Sequence, residues 1–158
     1  MQPTPDWRAG AAFLRQAAPE LTPYLDKYGL CPLAPKPEAA YFEILLTGIV
    51  AQQLPPQVSL ALVQKLTEAA GGTLTPATVL AAAPQALQAC GLAPIKVDYA
   101  RNFARLVLDG SIKLTAFAEQ TDSQILKQLL AVRGLGQWTI EMFLLLSLCR
   151  ADVLPGDD

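Results

Sequence analysis

The stretch Leu130-Ala131-Val132-Arg133-Gly134-Leu135-Gly136-Gln137-Trp138-Thr139 decides how this chain is read, because its six-residue link joins two apolar helical segments, Asp122 to Leu130 and Gln137 to Arg150. Two glycines flank one leucine. Gly134 and Gly136 let the backbone turn tightly and approach a ligand with no Cβ in the way, while Leu135 fills the gap between the helices. The second segment then begins with its free N–H groups exposed. Those donors and the helix dipole make an anion site that suits a phosphate. An ordinary helix-to-helix turn would use the same Gly-x-Gly, so the motif alone leaves both readings open.

Outward from this link, helix signals recur and strand-like alternation is almost absent, so the expected fold class is all-α. Asp6 caps a first helix running to about Ala18, with Trp7, Phe13 and Leu14 as its apolar stripe and Pro19 as its stop. A short helix from Leu21 to Tyr28 precedes a Pro-rich link, Cys31 to Pro37. Glu38 to Ala51 carries Phe42, Leu45, Leu46 and Ile49 at helical spacing, and Gln57 to Ala70 restarts after Pro55-Pro56. Thr75-Pro76 and Pro84 open two further helices, the second ending at Cys90-Gly91. Pro94 to Leu108 turns Val97, Ala100, Phe103, Ala104 and Val107 inward.

At 158 residues, with 52% apolar and 16% charged residues, one globular domain with a buried core is expected over residues 1–158. No apolar run approaches the ~18 residues of a membrane span, and the N-terminus is not a secretory signal, which places the protein in the cytoplasm and off the membrane. The chain contains no histidine, which excludes Ser-His-Asp triads, Cys-His pairs and histidine-zinc sites. Cys31, Cys90 and Cys149 lack any paired spacing for zinc or an iron-sulfur cluster and read as small buried apolar residues. Chemistry must then use carboxylates, Lys, Tyr or water. The net charge of −2 lacks the footprint of many nucleic-acid binders. Contact through backbone N–H groups, supported by Arg133 and Lys127, would still hold a DNA phosphate.

Taken together, these segments resemble the helix-hairpin-helix superfamily of DNA glycosylases, and within it the compact monofunctional 3-methyladenine glycosylase II type. Val132 to Leu148 is similar to that family's hairpin and second helix, and Asp152-Val-Leu-Pro-Gly-Asp-Asp158 to the loop that carries its catalytic aspartate. Phe42 to Leu54 resembles the helix and loop that enter DNA beside the damaged base, and Cys90 to Leu106 matches a further family segment. The resemblance runs from about Glu38 onward, with the hairpin motif over about 122–150. Pro55-Pro56 replaces the family's usual small or hydroxyl residues after the double glutamine. The family continues for several helices beyond its aspartate, so the C-terminal helices of the fold are expected to lie past Asp158.

The resemblance implies a hydrolase that cuts the N-glycosidic bond of alkylated purines during base excision repair, acting as a monomer on double-stranded DNA. It assigns catalysis to Asp158, twenty residues after Trp138. A carboxylate there would stabilise the positive charge that builds on the sugar and accept a proton from the attacking water. Asp157 is the neighbouring rival, and a turn or helix cap is the plain structural role for either. Family members that also cleave the strand carry lysine at the position of Trp138, often with a four-cysteine cluster, so Trp138 implies water as the nucleophile.

The same resemblance puts Trp138, Met142, Tyr41 and Phe42 in the substrate pocket, where an aromatic face would attract a cationic base, although a helical apolar stripe is more often core. Gln52, Gln53 and Leu54 would form the wedge that replaces the flipped base. Arg133, Gly134, Leu135, Gly136, Gln137 and Thr139 would meet the DNA backbone. No cofactor is required, and the carbonyls of Leu130, Val132 and Leu135 would hold a structural monovalent cation. A helix-hairpin-helix module that binds DNA without chemistry, an all-helical interaction domain whose Gly-x-Gly is only a turn, and a glycosylase for uracil or hypoxanthine are the competing expectations.

Overall fold

A computed structural model describes residues 5–156, and the two carboxylates of the Asp157-Asp158 pair lie outside the described residues. Among the described residues the protein is helical, with no strand. Its α-helices are α1 (Trp7–Ala17), α2 (Thr22–Tyr28), α3 (Tyr41–Val50), α4 (Pro56–Ala69), α5 (Pro76–Ala81), α6 (Pro84–Ala89), α7 (Pro94–Leu108), α8 (Asp122–Leu130) and α9 (Gln137–Ser147). None is long and apolar enough to cross a membrane.

Local chemistry sets most of the helix starts. Asp6 accepts from the N–H groups of Arg8 and Ala9 at α1, while Thr75 and Thr121 each form a reciprocal capping box at α5 and α8. Pro56, Pro76, Pro84 and Pro94 each occupy the first position of a helix, where a missing N–H costs nothing. Glu38–Ala40 forms a single 3-10 turn before α3, so the helix expected from Glu38 begins three residues later. Helix α9 stops at Ser147 rather than Arg150 because Cys149 turns into the left-handed region (φ 54°), and the Arg150 N–H returns to the Leu144 carbonyl at 3.0 Å.

Helix α3 is the centre of the packing, with Tyr41, Phe42, Leu45, Leu46, Ile49 and Val50 all buried, and it touches α4, α7 and α9. Phe42 stacks on Phe103 of α7 with ring centroids 5.1 Å apart. Tyr41 meets Phe143 of α9 edge-on at 5.3 Å. Burying such rings contributes on the order of 2–3 kcal/mol each. A mid-helix glycine makes the α3–α9 crossing close: a Cβ on Gly48 would lie 2.5 Å from Cγ2 of Thr139.

Two expectations need correction. The apolar stripe of α1 is not buried: Phe13 is 68% exposed, and the helix holds no buried residue. It is tied to the rest by the Trp7 indole N–H, which donates to the Leu33 carbonyl at 2.8 Å. The cysteines do not share one environment either, since Cys31 is exposed, Cys90 half-buried and only Cys149 buried.

Candidate DNA-binding and base-pocket site

Helices α8 and α9 pack together on either side of the Gly134-Leu135-Gly136 link, with Leu135 and Val132 buried in the common core. The two glycines do different work. Gly134 takes φ 92°, and a Cβ there would fall 2.6 Å from Cδ2 and 2.9 Å from Cγ of Tyr99. Its bare face is thus turned to the protein and pressed on α7, which corrects the expectation that this glycine clears the way for a ligand. Gly136 has φ −93° and ψ 163°, an extended backbone open to any residue, and a Cβ there would meet no atom within 4 Å. Its open side is the one that leaves the N-terminus of α9 approachable.

Around this turn, Arg133 and Gln137 are exposed, and Thr139 is half-buried with its methyl against Gly48 of α3. Gln137 donates from Nε2 to Glu141 Oε1 at 2.7 Å, so its amide is engaged along the helix. Thr139 and Leu135 can reach a partner through their backbone, since their side chains are directed inward.

Between α3 and α9 lies a groove of about 460 Å³ with mostly apolar walls. Ile44, Thr47 and Gly48 form one side, Trp138, Thr139 and Met142 the other, and Gln52, Gln53 and Leu54 line it as well. Trp138 is 41% exposed here. The structure therefore brings the Trp138–Met142 pair and the glutamine turn to one cavity. It does not bring Tyr41 and Phe42 there: both are 4% exposed within the aromatic core, on the face of α3 that packs against Phe117, Phe143 and Phe103. Burial, then the nearby Glu38 charge, holds the Tyr41 phenol above its usual range, so it stays neutral.

The glutamine turn is built in a particular way. Gln52 donates from Nε2 to the Gly134 carbonyl at 2.7 Å, which ties the end of α3 to the hairpin across the groove mouth. Gln53 is exposed and has φ 63°, a left-handed backbone that costs a non-glycine residue about 1 kcal/mol or more. Lys96, at the start of α7, donates from Nζ to the carbonyls of Val50 (2.9 Å) and Gln52 (2.8 Å), closing the C-terminal end of α3. Burial pushes its ammonium below the usual lysine value.

Sequence reasoning passed over three contributors. Gly48 carried a legible signal, an isolated glycine inside an apolar helix. Lys96 and Arg150 carried none. Arg150 is 4% exposed and donates from Nη2 to the Phe117 (3.1 Å) and Gln120 (3.0 Å) carbonyls, while its Nε lies 3.2 Å from Asp122 Oδ1. It pins the chain leaving α9 to the segment that enters α8, and so fixes where the loop towards Asp158 begins.

No family model matches the chain. The DNA-3-methyladenine glycosylase 1 of Schizosaccharomyces pombe is 29% identical over 120 residues, which cover 74% of this chain and 53% of that protein. The chain thus spans about half the length of that relative. A crystal structure of the DNA-3-methyladenine glycosidase of Bacillus halodurans superposes with a TM-score of 0.80 at 29% identity, over 92% of this chain and 66% of the other. The Schizosaccharomyces pombe 3-methyladenine DNA glycosylase in complex with abasic DNA gives a TM-score of 0.68 at 29% identity, over 75% and 59%. In sequence and in the α8–turn–α9 hairpin beside an apolar groove, this chain is similar to the DNA-3-methyladenine glycosylases of the helix-hairpin-helix DNA glycosylase superfamily.

Proposed function

We propose that the protein is a monofunctional DNA glycosylase that hydrolyses the N-glycosidic bond of alkylated purines in double-stranded DNA. The observation that carries this reading is the apolar groove between α3 and α9, placed directly beside the hairpin, with the Trp138 indole and Met142 on its wall. A hairpin that only held DNA would need no such cavity. A base alkylated on its ring is cationic, so an electron-rich aromatic wall attracts it, and its charge already makes it a good leaving group. That combination suits a chain without a histidine to serve as general acid.

In this reading the labour is divided along the chain. Backbone N–H groups at the start of α9, open beside Gly136, take a phosphate. The target nucleotide leaves the stack, and Gln53, exposed at the tip of the turn after α3, fills its place while Leu54 and the prolines behind it stiffen the turn. The base enters the groove against Trp138. Asp158, on the chain that follows Arg150, supplies the carboxylate that stabilises positive charge on the sugar and takes the proton of the attacking water. An indole at position 138 cannot form a Schiff base, so the strand stays intact.

Partner and setting follow from the same reading: a monomer acting on damaged duplex DNA in the cytoplasm, bound to the nucleoid while at work. No cofactor is needed for the chemistry. Leu130, Val132 and Leu135 offer three neutral carbonyl oxygens at the turn, and the Val132 oxygen already accepts the Leu135 N–H at 3.2 Å, leaving one lone pair to share. Such a set fits a structural monovalent cation. Among the described residues no group of three or more His, Cys, Asp or Glu could hold another kind of metal ion.

Incubation of the protein with methylated duplex DNA, followed by chromatography of the freed bases, tests the proposal. Release of 3-methyladenine that Trp138→Ala lowers is the expected result. Duplex binding with no base released from any alkylated, uracil- or hypoxanthine-containing substrate would leave a DNA-binding module instead.

A further inference from the structure

A separate, polar depression of about 320 Å³ lies where α7 meets the hairpin link. Asp98, Tyr99, Asn102 and Arg105 of α7 line it together with Arg133 of the hairpin. Tyr99 is the residue that presses on Gly134, so the depression is continuous with the Gly-Leu-Gly turn. Arg101 also borders it, but its Nη1 is committed to the carbonyls of Val79 (3.2 Å), Leu80 (3.2 Å) and Ala82 (2.8 Å) at the end of α5. Among the described residues, neither Arg105 nor Arg133 forms an ion pair, and both are exposed. Asp109, one turn beyond Arg105, accepts the Ser111 N–H at 2.9 Å, and the Arg105 charge acts on its carboxylate without an ion-pair contact.

In a chain of net charge −2, two arginines without an ion-pair contact lining one polar hollow beside the hairpin are a local reversal of the overall charge. We infer that Arg105, Asn102 and Arg133 form a second phosphate site, which takes a DNA backbone phosphate flanking the one held at the start of α9. A guanidinium fork and a carboxamide N–H match the oxygens of a phosphodiester, and none of them can read a base from there. Asp98 stands in the same hollow and opposes an anion, which sets the affinity below its limit. This inference rests on the proposed action on duplex DNA and extends it to the footprint on the strand.

The test is equilibrium binding of a fluorescent duplex carrying an abasic-site analogue, measured by anisotropy between about 50 and 200 mM salt. Arg105→Gln should weaken binding about three- to tenfold at the low-salt end and lower the slope of log K against log salt by about one, the release of one phosphate's counterions. Asp98→Asn should tighten binding. Arg15→Gln, which breaks the α1–α2 pair with Asp26, and Glu68→Gln on α4 alter the net charge equally elsewhere and should leave the slope unchanged. Melting temperatures check that each variant is folded. An unchanged slope for Arg105→Gln, or an equal change for Arg15→Gln, overturns the second site while wild-type binding keeps the DNA reading intact. Absence of duplex binding by the wild type would bring down both.

Discussion

Replacing each glycine of the turn by alanine should separate two functions that look identical in the sequence. At Gly134 the new Cβ sits on a backbone with φ 92°, a conformation that costs an L-residue about 1–2 kcal/mol. It also meets Tyr99 at 2.6 Å (Cδ2), 2.9 Å (Cγ) and 3.1 Å (Cβ). Because the Tyr99 Cβ is itself in the way, a rotation of the ring cannot relieve the contact, and α7 or the hairpin must shift at about 1–3 kcal/mol. The sum is about 2–5 kcal/mol, or a fall in Tm of roughly 4–20 °C for a chain of this size. At Gly136 the backbone is extended and the space empty, so alanine should cost less than about 1 kcal/mol, the ordinary price of a poorer helix cap.

Urea denaturation followed by circular dichroism measures both, and a cycle with Tyr99→Ala isolates the clash, which should appear as a coupling of about 1–2 kcal/mol. Duplex binding should invert the order. Gly136→Ala should weaken damaged and undamaged DNA alike, because a phosphate contact carries no sequence information. If Gly134→Ala proves as mild as Gly136→Ala, or the cycle shows no coupling with Tyr99, the structural role given to Gly134 is refuted. Selective loss of one damaged substrate in Gly136→Ala would move this turn into the base pocket.

The other predictions are independent of that cycle. Asp158→Asn should cut base release by orders of magnitude while abasic-DNA binding persists, and Asp157→Asn should do far less; single-turnover rates showing the reverse order would reassign the carboxylate. Gln53→Ala should slow release from a paired lesion more than from the same lesion in a mismatch, where less stacking must be broken, and equal losses would deny it the wedge role. Borohydride should trap no covalent enzyme–DNA adduct, with strand breaks appearing only after alkali; a trapped adduct would end the water mechanism. Arg150→Met should cost about 2–4 kcal/mol in a urea titration, since a buried and a half-buried carbonyl lose a charged donor and Asp122 its partner, and a loss under about 1 kcal/mol would show that the chain beyond α9 is held by other means.

Local signals in this sequence were strong wherever one residue type has one cheap conformation. Prolines at the first position of α4 to α7, the Asp6 and Thr75 side-chain caps and the glycine-flanked leucine fix helix limits through local contacts alone, so the all-α fold and the bounds of α7 and α8 were legible. Side-chain facing was not. Tyr41, Phe42, Trp138 and Met142 all sit on apolar helical stripes, and periodicity says that a stripe is covered without saying by what. Only the packing of α3 between α7 and α9, with Gly48 close against Thr139, sends the first two into the aromatic core and leaves the last two on an open groove. Gly134 and Gly136 are likewise equal as letters, yet Tyr99, thirty-five residues upstream of Gly134, makes one of them a packing requirement. The buried Arg150 and the carbonyl-capping Lys96 have the same origin. Their partners lie far along the chain, and long-range pairing decides what a charged side chain does because the sequence near it holds nothing that could satisfy it.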